Sequence, residues 1–145
     1  MERSSMRALV VDGPHRIASR DVPFTAVAGE CTVRVLMAGI CGTDLQLIEG
    51  YAEFAGIPGH EFVGVVEHVA DAREATWIGK RVVGEINIGC GACETCRAGV
   101  KEHCPSRSVL GIRGRPGAFA EYVSLPGANL HAVPDAVANE TAVFV

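Results

Sequence analysis

The chain has 145 residues, 48% of them apolar, and a formal charge of −4 at pH 7. That size fits one domain with a core of its own and leaves no room for a second of ordinary size, and the apolar share excludes a disordered chain. The acidic balance argues against a nucleic-acid or anionic-membrane partner, and no apolar run approaches the ~18–20 residues of a bilayer span.

Met1-Glu2-Arg3-Ser4-Ser5 has no signal-peptide pattern, so the expected setting is the cytoplasm. Arg7–Val11 reads as a strand closed by the turn Asp12-Gly13-Pro14, and residues 15–22 as a second strand stopped by Pro23. Cys31–Met37 alternates as a strand, Thr43–Glu49 has a short helical pattern ended by Gly50, and Phe62–Val69 is a β-branched strand. Lys80–Ile88, Gly117–Leu125 and Leu130–Val133 read as further strands. Asn139 is a candidate N-cap for a helix that has barely begun when the chain ends, which reads as a boundary cut through something longer. Many short strands with Gly/Pro corners predict a mainly β fold, an antiparallel or mixed barrel.

Residues 89–108 hold four of the six cysteines and little apolar content, so they cannot fold around a core of their own. Cys90-x2-Cys93-x2-Cys96-x7-Cys104 suits zinc: close pairs bring two thiolates to one ion, and a distant fourth closes the tetrahedron. Four sulfurs leave no open position, so the role would be structural, with the metal supplying folding energy. Arg97, Lys101, Arg107, Arg113 and Arg115 outnumber Glu94 and Glu102 here and would offset a zinc tetrathiolate, or simply form a solvated surface. An iron–sulfur cluster and two disulfides are the rival readings. The first needs a shorter final gap, and the second is out of place in a cytosolic chain. His103 reads as an exposed loop residue, Cys31 as a small buried hydrophobe, Trp77 as packing at a turn, and His15, His68 and His131 as surface or strand positions.

A second constellation is split between Gly39-Ile40-Cys41-Gly42-Thr43-Asp44 and Pro58-Gly59-His60-Glu61-Phe62-Val63-Gly64. Cys41 opens a helix, where a thiol favours the thiolate, and His60 with Glu61 enters a strand. Two or three ligands of this kind leave a position for substrate, provided the fold joins the segments.

These stretches, the four-cysteine lobe, Gly117-Ala118-Phe119-Ala120-Glu121-Tyr122 and Asn129-Leu130-His131-Ala132-Val133-Pro134-Asp135 occur in one order. Residues 6–145 thereby resemble the N-terminal GroES-like catalytic domain of the zinc-dependent medium-chain alcohol dehydrogenases. The resemblance implies a GroES-like β-barrel with short helices and a zinc lobe at about 89–108. It implies that Cys41, His60 and Glu61 face the catalytic zinc, that Asp44 fixes the tautomer of His60, and that Thr43 contacts the substrate oxygen. Cys90, Cys93, Cys96 and Cys104 would hold the structural zinc. The implied reaction is hydride transfer between a small alcohol, polyol or carbonyl compound and NAD or NADP, with Thr43 taking the alcohol's proton.

Three departures qualify that expectation. Gln46 stands where many relatives carry a relay histidine and cannot titrate. A further zinc ligand, expected to be a Glu, would lie just past Val145. No G-x-G-x-x-G follows a strand, so the cofactor-binding Rossmann domain is absent from these residues and the chain alone is expected to be inactive. Apolar surface left without that domain could drive self-association into a homo-oligomer. The reading from another class is a stand-alone zinc-binding or scaffold module, for which Cys41, Thr43, His60 and Glu61 have no use.

Overall fold

The structure, a computed structural model, describes residues 5–144. The leaderless reading of Met1–Ser4 and the run of the last helix to Val145 lie outside them. A hairpin of β1 (Met6–Val11) and β2 (Ile17–Val22) comes first. A five-stranded antiparallel sheet follows, in the order β8 (Tyr122–Leu125), β3 (Cys31–Gly39), β4 (Glu61–Val69), β5 (Arg81–Gly84) and β9 (Leu130–Ala132). The hairpin joins this body through bridges from Ala8 to Ala120 and from Val11 to Gly56. The architecture is mainly β, as the pattern of short strands predicts.

β4 is the organising strand because its side chains are buried on both faces. Phe62 and Val66 enter the main core with Cys31, Val33, Val82, Leu110, Val123, Leu125 and Leu130. Val63 enters a second cluster with Val83, Ala142 and Val143 of the C-terminal segment. A fully buried valine contributes roughly 1.5–3 kcal/mol, so neither face is dispensable.

Several strand boundaries differ from the sequence reading, each for a local reason. Lys80–Ile88 is not one strand but β5 and β6 (Asn87–Ile88), the latter paired with β7 (Ser108–Val109). The break falls where Asn129 captures the backbone: its Nδ2 donates to the carbonyls of Glu85 and Asn87 at 2.8 and 2.9 Å. Residues 117–119 do not extend β8 upstream; their N–H groups donate to Ile57, Gly59 and Pro58 carbonyls at 2.7–3.0 Å. The second strand starts at Ile17, after a turn that leaves His15 at φ 56°.

Helix α1 (Gly42–Ile48) follows β3, α2 (Glu94–Arg97) lies in the cysteine lobe, and α3 (Asn139–Ala142) ends the described chain. Asn139 is not the N-cap of α3. That position falls to Ala138, and Asn139 Oδ1 accepts instead from Arg81 Nη1 at 2.8 Å. Arg81 Nη2 donates to the carbonyls of Pro134 and Val137 at 2.8 and 2.6 Å. One guanidinium on β5 thus ties Pro134, Val137 and Asn139 of the terminal segment to the sheet. No helix among the described residues is long and apolar enough to cross a membrane.

Candidate metal centres

The β3–β4 register brings the two halves of the split constellation together. Gly39, near the end of β3, pairs with Glu61, the first residue of β4. Cys41 then sits at the N-cap of α1, and His60 immediately precedes β4. Ligand atoms of Cys41, His60 and Glu61 lie within 4.8 Å of one another. A Cβ on Gly39 would stand 2.8 Å from Glu61 Oε2 and 2.9 Å from the Phe144 ring, so only glycine leaves room for that carboxylate.

The turn before His60 is held from three sides. Gly59 has φ +98°, and a side chain there would meet the Phe119 amide at 2.7 Å. Its N–H donates to Asp44 Oδ1 at 3.2 Å, and the Cys41 N–H donates to Asp44 Oδ2 at 2.9 Å. One fully buried carboxylate therefore ties the Cys41 segment to the His60 turn. His60 Nδ1 lies 3.4 Å from Asp44 Oδ1, is not aligned for a full hydrogen bond, and is otherwise a buried nitrogen without a partner.

The electrostatics follow from this packing. Burial works against the Asp44 carboxylate, yet His60 and the N–H groups of Cys41 and Gly59 keep it below the usual carboxylate range. Asp44 in turn raises the His60 imidazole to about 9, against the opposing pull of burial. The Thr43 backbone N–H, then His60, hold the Cys41 thiol below its ordinary value. Cys41 Sγ lies 3.8 Å from Thr43 Oγ1. A carboxylate can only accept, so an imidazole proton facing Asp44 would sit on Nδ1, which would leave Nε2 free as a ligand. A thiolate, an imidazole and a carboxylate converging in this way fit zinc.

Cys90, Cys93, Cys96 and Cys104 form the second cluster, again with ligand atoms within 4.8 Å of one another. All six cysteines of the chain are free thiols here, so neither disulfide of the rival reading is formed. Four sulfurs suit zinc as a closed structural site. Backbone N–H groups point at sulfur: Cys93 N–H at Cys90 Sγ (3.4 Å), and Cys90 N–H at Cys104 Sγ (3.4 Å). The Thr95 hydroxyl, 3.0 Å from Cys93 Sγ, and the Cys96 N–H lower the Cys93 thiol to about 6.

Two of the five cations expected to offset the thiolates are engaged elsewhere. Lys101 Nζ pairs with Glu85 Oε2 at 2.6 Å and donates to Asn129 Oδ1 at 3.2 Å. Arg115 pairs in bidentate fashion with Glu30 at 2.7 and 2.9 Å and also reaches the Ser124 carbonyl. Both carboxylate partners belong to the barrel side. These cations therefore dock the lobe and its exit strand. Asn129, 3% exposed, is the centre of that docking; the sequence names it only within a matched stretch, and no periodicity marks it. His103, His15, His68 and His131 are exposed, Cys31 is buried, and Trp77 packs against the core beneath Lys80.

A barrel that brings Cys41, His60 and Glu61 to one point, beside a closed four-cysteine lobe, defines a zinc-dehydrogenase type of catalytic domain. The family described as the alcohol dehydrogenase GroES-like domain matches residues 27–135, and the chain belongs to that family. It is 37% identical to the starvation-sensing protein RspB of Escherichia coli K12, over 97% of this chain and 42% of that protein. It is 41% identical to an L-threonine 3-dehydrogenase of Chelativorans, over 96% and 42%. Among solved structures, an alcohol dehydrogenase, rspB of E. coli CFT073 in complex with NADH, superposes with a TM-score of 0.87 at 34% identity, over 97% and 42%. The chain thus spans less than half the length of these relatives.

Proposed function

We propose that the chain is the substrate- and zinc-binding part of an NAD(P)-dependent alcohol or polyol dehydrogenase. The observation that carries this reading is the convergence of Cys41, His60 and Glu61, with Asp44 behind His60 and Thr43 beside Cys41. Such a mixed set differs from the closed cysteine cluster, because a carboxylate can yield its position to a substrate.

Cys41, His60 and Glu61 would hold the catalytic zinc; Cys90, Cys93, Cys96 and Cys104 would hold the structural one. When bound, the catalytic ion would supply Lewis-acid polarisation of the substrate oxygen. Asp44 keeps the His60 ring in one orientation and one tautomer. Thr43 takes the substrate's proton through its hydroxyl. Gln46, exposed on α1, cannot titrate, so the proton passes from Thr43 to solvent. A nucleotide-binding domain would bring NAD or NADP to this face, with hydride moving between the substrate carbon and the nicotinamide. Exposed Ile40, Leu45 and Phe144 support association, with that domain or between copies.

The test joins this chain to the part of RspB that it does not cover and measures NAD or NADP reduction with 1,2-propanediol and other small alcohols. Turnover that is lost in Cys41→Ser and in Thr43→Val, while one zinc stays in the lobe, is the expected result. A chain that takes up zinc only in the lobe overturns the reading. The 145-residue chain alone is expected to bind two zinc ions and turn over negligibly; robust turnover would remove the need for a second domain.

A further inference from the structure

The three side chains of the barrel centre are not held alike. Cys41 Sγ has the Thr43 N–H beside it and the Thr43 hydroxyl at 3.8 Å, and the His60 ring faces the Asp44 carboxylate at 3.4 Å. Glu61 lacks such support: its half-buried side chain makes no hydrogen bond and no ion pair among the described residues. A carboxylate that no donor fixes, on a stem of several rotatable bonds, keeps its place only where packing confines it.

Two residues confine it. Gly39 lies opposite Glu61 in the β3–β4 register, and its missing side chain leaves a hollow. A Cβ placed there would stand 2.8 Å from Glu61 Oε2, 3.3 Å from Glu61 Cβ and 2.9 Å from Phe144 Cε1. The carboxylate and the edge of the Phe144 ring therefore share one hollow. Phe144 is not there as core: it is 65% exposed, whereas Ala142 and Val143 just before it are buried against Val63 and Val83. With Arg81 holding Pro134, Val137 and Asn139, a fixed anchor carries an exposed ring to the one ligand without a polar partner. The edge of an aromatic ring is the positive part of its quadrupole, the sign that a carboxylate oxygen favours.

We propose that Phe144 is a positioning residue for Glu61: its ring edge, with the hollow at Gly39, holds the carboxylate toward Cys41 and His60. The inference rests on the metal centre of the dehydrogenase reading and adds a residue to it. The ring takes water away from one side of the carboxylate and limits its rotamers, so less order has to be gained when an ion is bound. The terminal segment thereby acts on the centre through Glu61 alone, and the exposed face of the ring stays available for association.

The experiment fills the lobe with zinc and titrates the barrel centre with cobalt(II), whose visible bands report its ligands. Phe144→Ala is expected to weaken cobalt uptake about 3–10-fold, less than the roughly 10–100-fold of a lost hydrogen-bonded partner, and to shift the bands toward those of Glu61→Ala. Phe144→Tyr keeps the ring edge and should restore both. In a Glu61→Ala background, Phe144→Ala should change neither, because the ring acts only through the carboxylate. One zinc retained in the lobe and an unchanged amide spectrum establish that each variant is folded. Unchanged uptake and bands in Phe144→Ala overturn the proposal; so does an equal loss in the Glu61→Ala background, or a Phe144→Tyr chain that behaves like Phe144→Ala. Those outcomes leave the dehydrogenase reading standing, since the unsubstituted chain still takes cobalt at Cys41, His60 and Glu61. A chain that takes none there defeats that reading, and this proposal with it.

Discussion

The two metal centres are built in opposite ways. The four-cysteine lobe gathers its ligands from one short stretch: two of its N–H···S contacts run three residues apart, and one closes the stretch from Cys90 to Cys104. The centre at Cys41, His60 and Glu61 is assembled by the barrel: it exists because β3 and β4 pair in the register that opposes Gly39 to Glu61. The lobe has little apolar content, so a metal held by its four sulfurs would supply the order that a core cannot. The barrel centre sits between strands that a core already holds, so its ligands are placed before any ion arrives. A metal in the lobe would thus help to make the fold, whereas one at the barrel centre would be received by it.

The most drastic way to break this comparison is to remove lobe sulfurs. Cys93→Ser with Cys104→Ser should abolish one zinc per chain and cost the lobe more than ~4 kcal/mol, enough to unfold it. Hydrogen exchange should show residues 89–108 losing protection while β3 and β4 keep theirs. A lobe that stays protected without metal would mean that docking to the barrel, and not the ion, orders it.

Asp44→Ala probes the barrel centre by its support. The substitution removes the carboxylate that orients His60 and bridges the Cys41 and Gly59 amides. Zinc affinity at this centre should fall about 10–100-fold, with the lobe unaffected. Competition with a chelator, read as the second of two zinc ions released, measures it. An unchanged affinity would show that the backbone alone places the ligands.

The pH response sharpens the same contrast. With Asp44 beside it, His60 is protonated in the metal-free chain below about 9. Zinc must displace that proton, so affinity at the barrel centre should rise with pH, about tenfold per unit between pH 6 and 8 from His60 alone. In the metal-free chain the sign is reversed for stability. The raised value means that the His60–Asp44 contribution is full below the unfolded value of 6.5 and fades as pH rises through about 9. Cobalt(II) uptake followed by visible absorption, with the lobe already filled, checks the first; a pH-independent affinity would contradict it.

What was legible in the sequence divides along the same line. The lobe was readable from spacing alone, because its chemistry is local. Cys41, His60 and Glu61 were individually weak and became a set only through the resemblance, because a β register cannot be read from two separate motifs. Strand existence was legible in alternation, but the break at Glu85 was not: it depends on Asn129, distant in sequence, reaching two carbonyls. Asn139 misled as a cap because tertiary structure gave its side chain to Arg81. Two of the five cations near the lobe, Lys101 and Arg115, likewise found carboxylates that only folding brings near.

Lys101 offers the finest test, because it belongs to both regions. Its carbonyl accepts the Cys104 N–H at 3.0 Å, within the turn that places the last sulfur. Its ammonium reaches Glu85 and Asn129 on the barrel side, while Gly89 lets its Cβ approach closely. Lys101→Met keeps the stem and the turn but removes the charge. The lobe should keep its zinc, since no ligand is touched, yet dock about 1–2 kcal/mol less firmly. Exchange at residues 87–90 and 129 should then quicken by roughly 5–30-fold with metal content constant. If zinc is lost together with the dock, the lobe is not a locally closed unit, because its metal would then depend on the barrel as the centre at Cys41, His60 and Glu61 does.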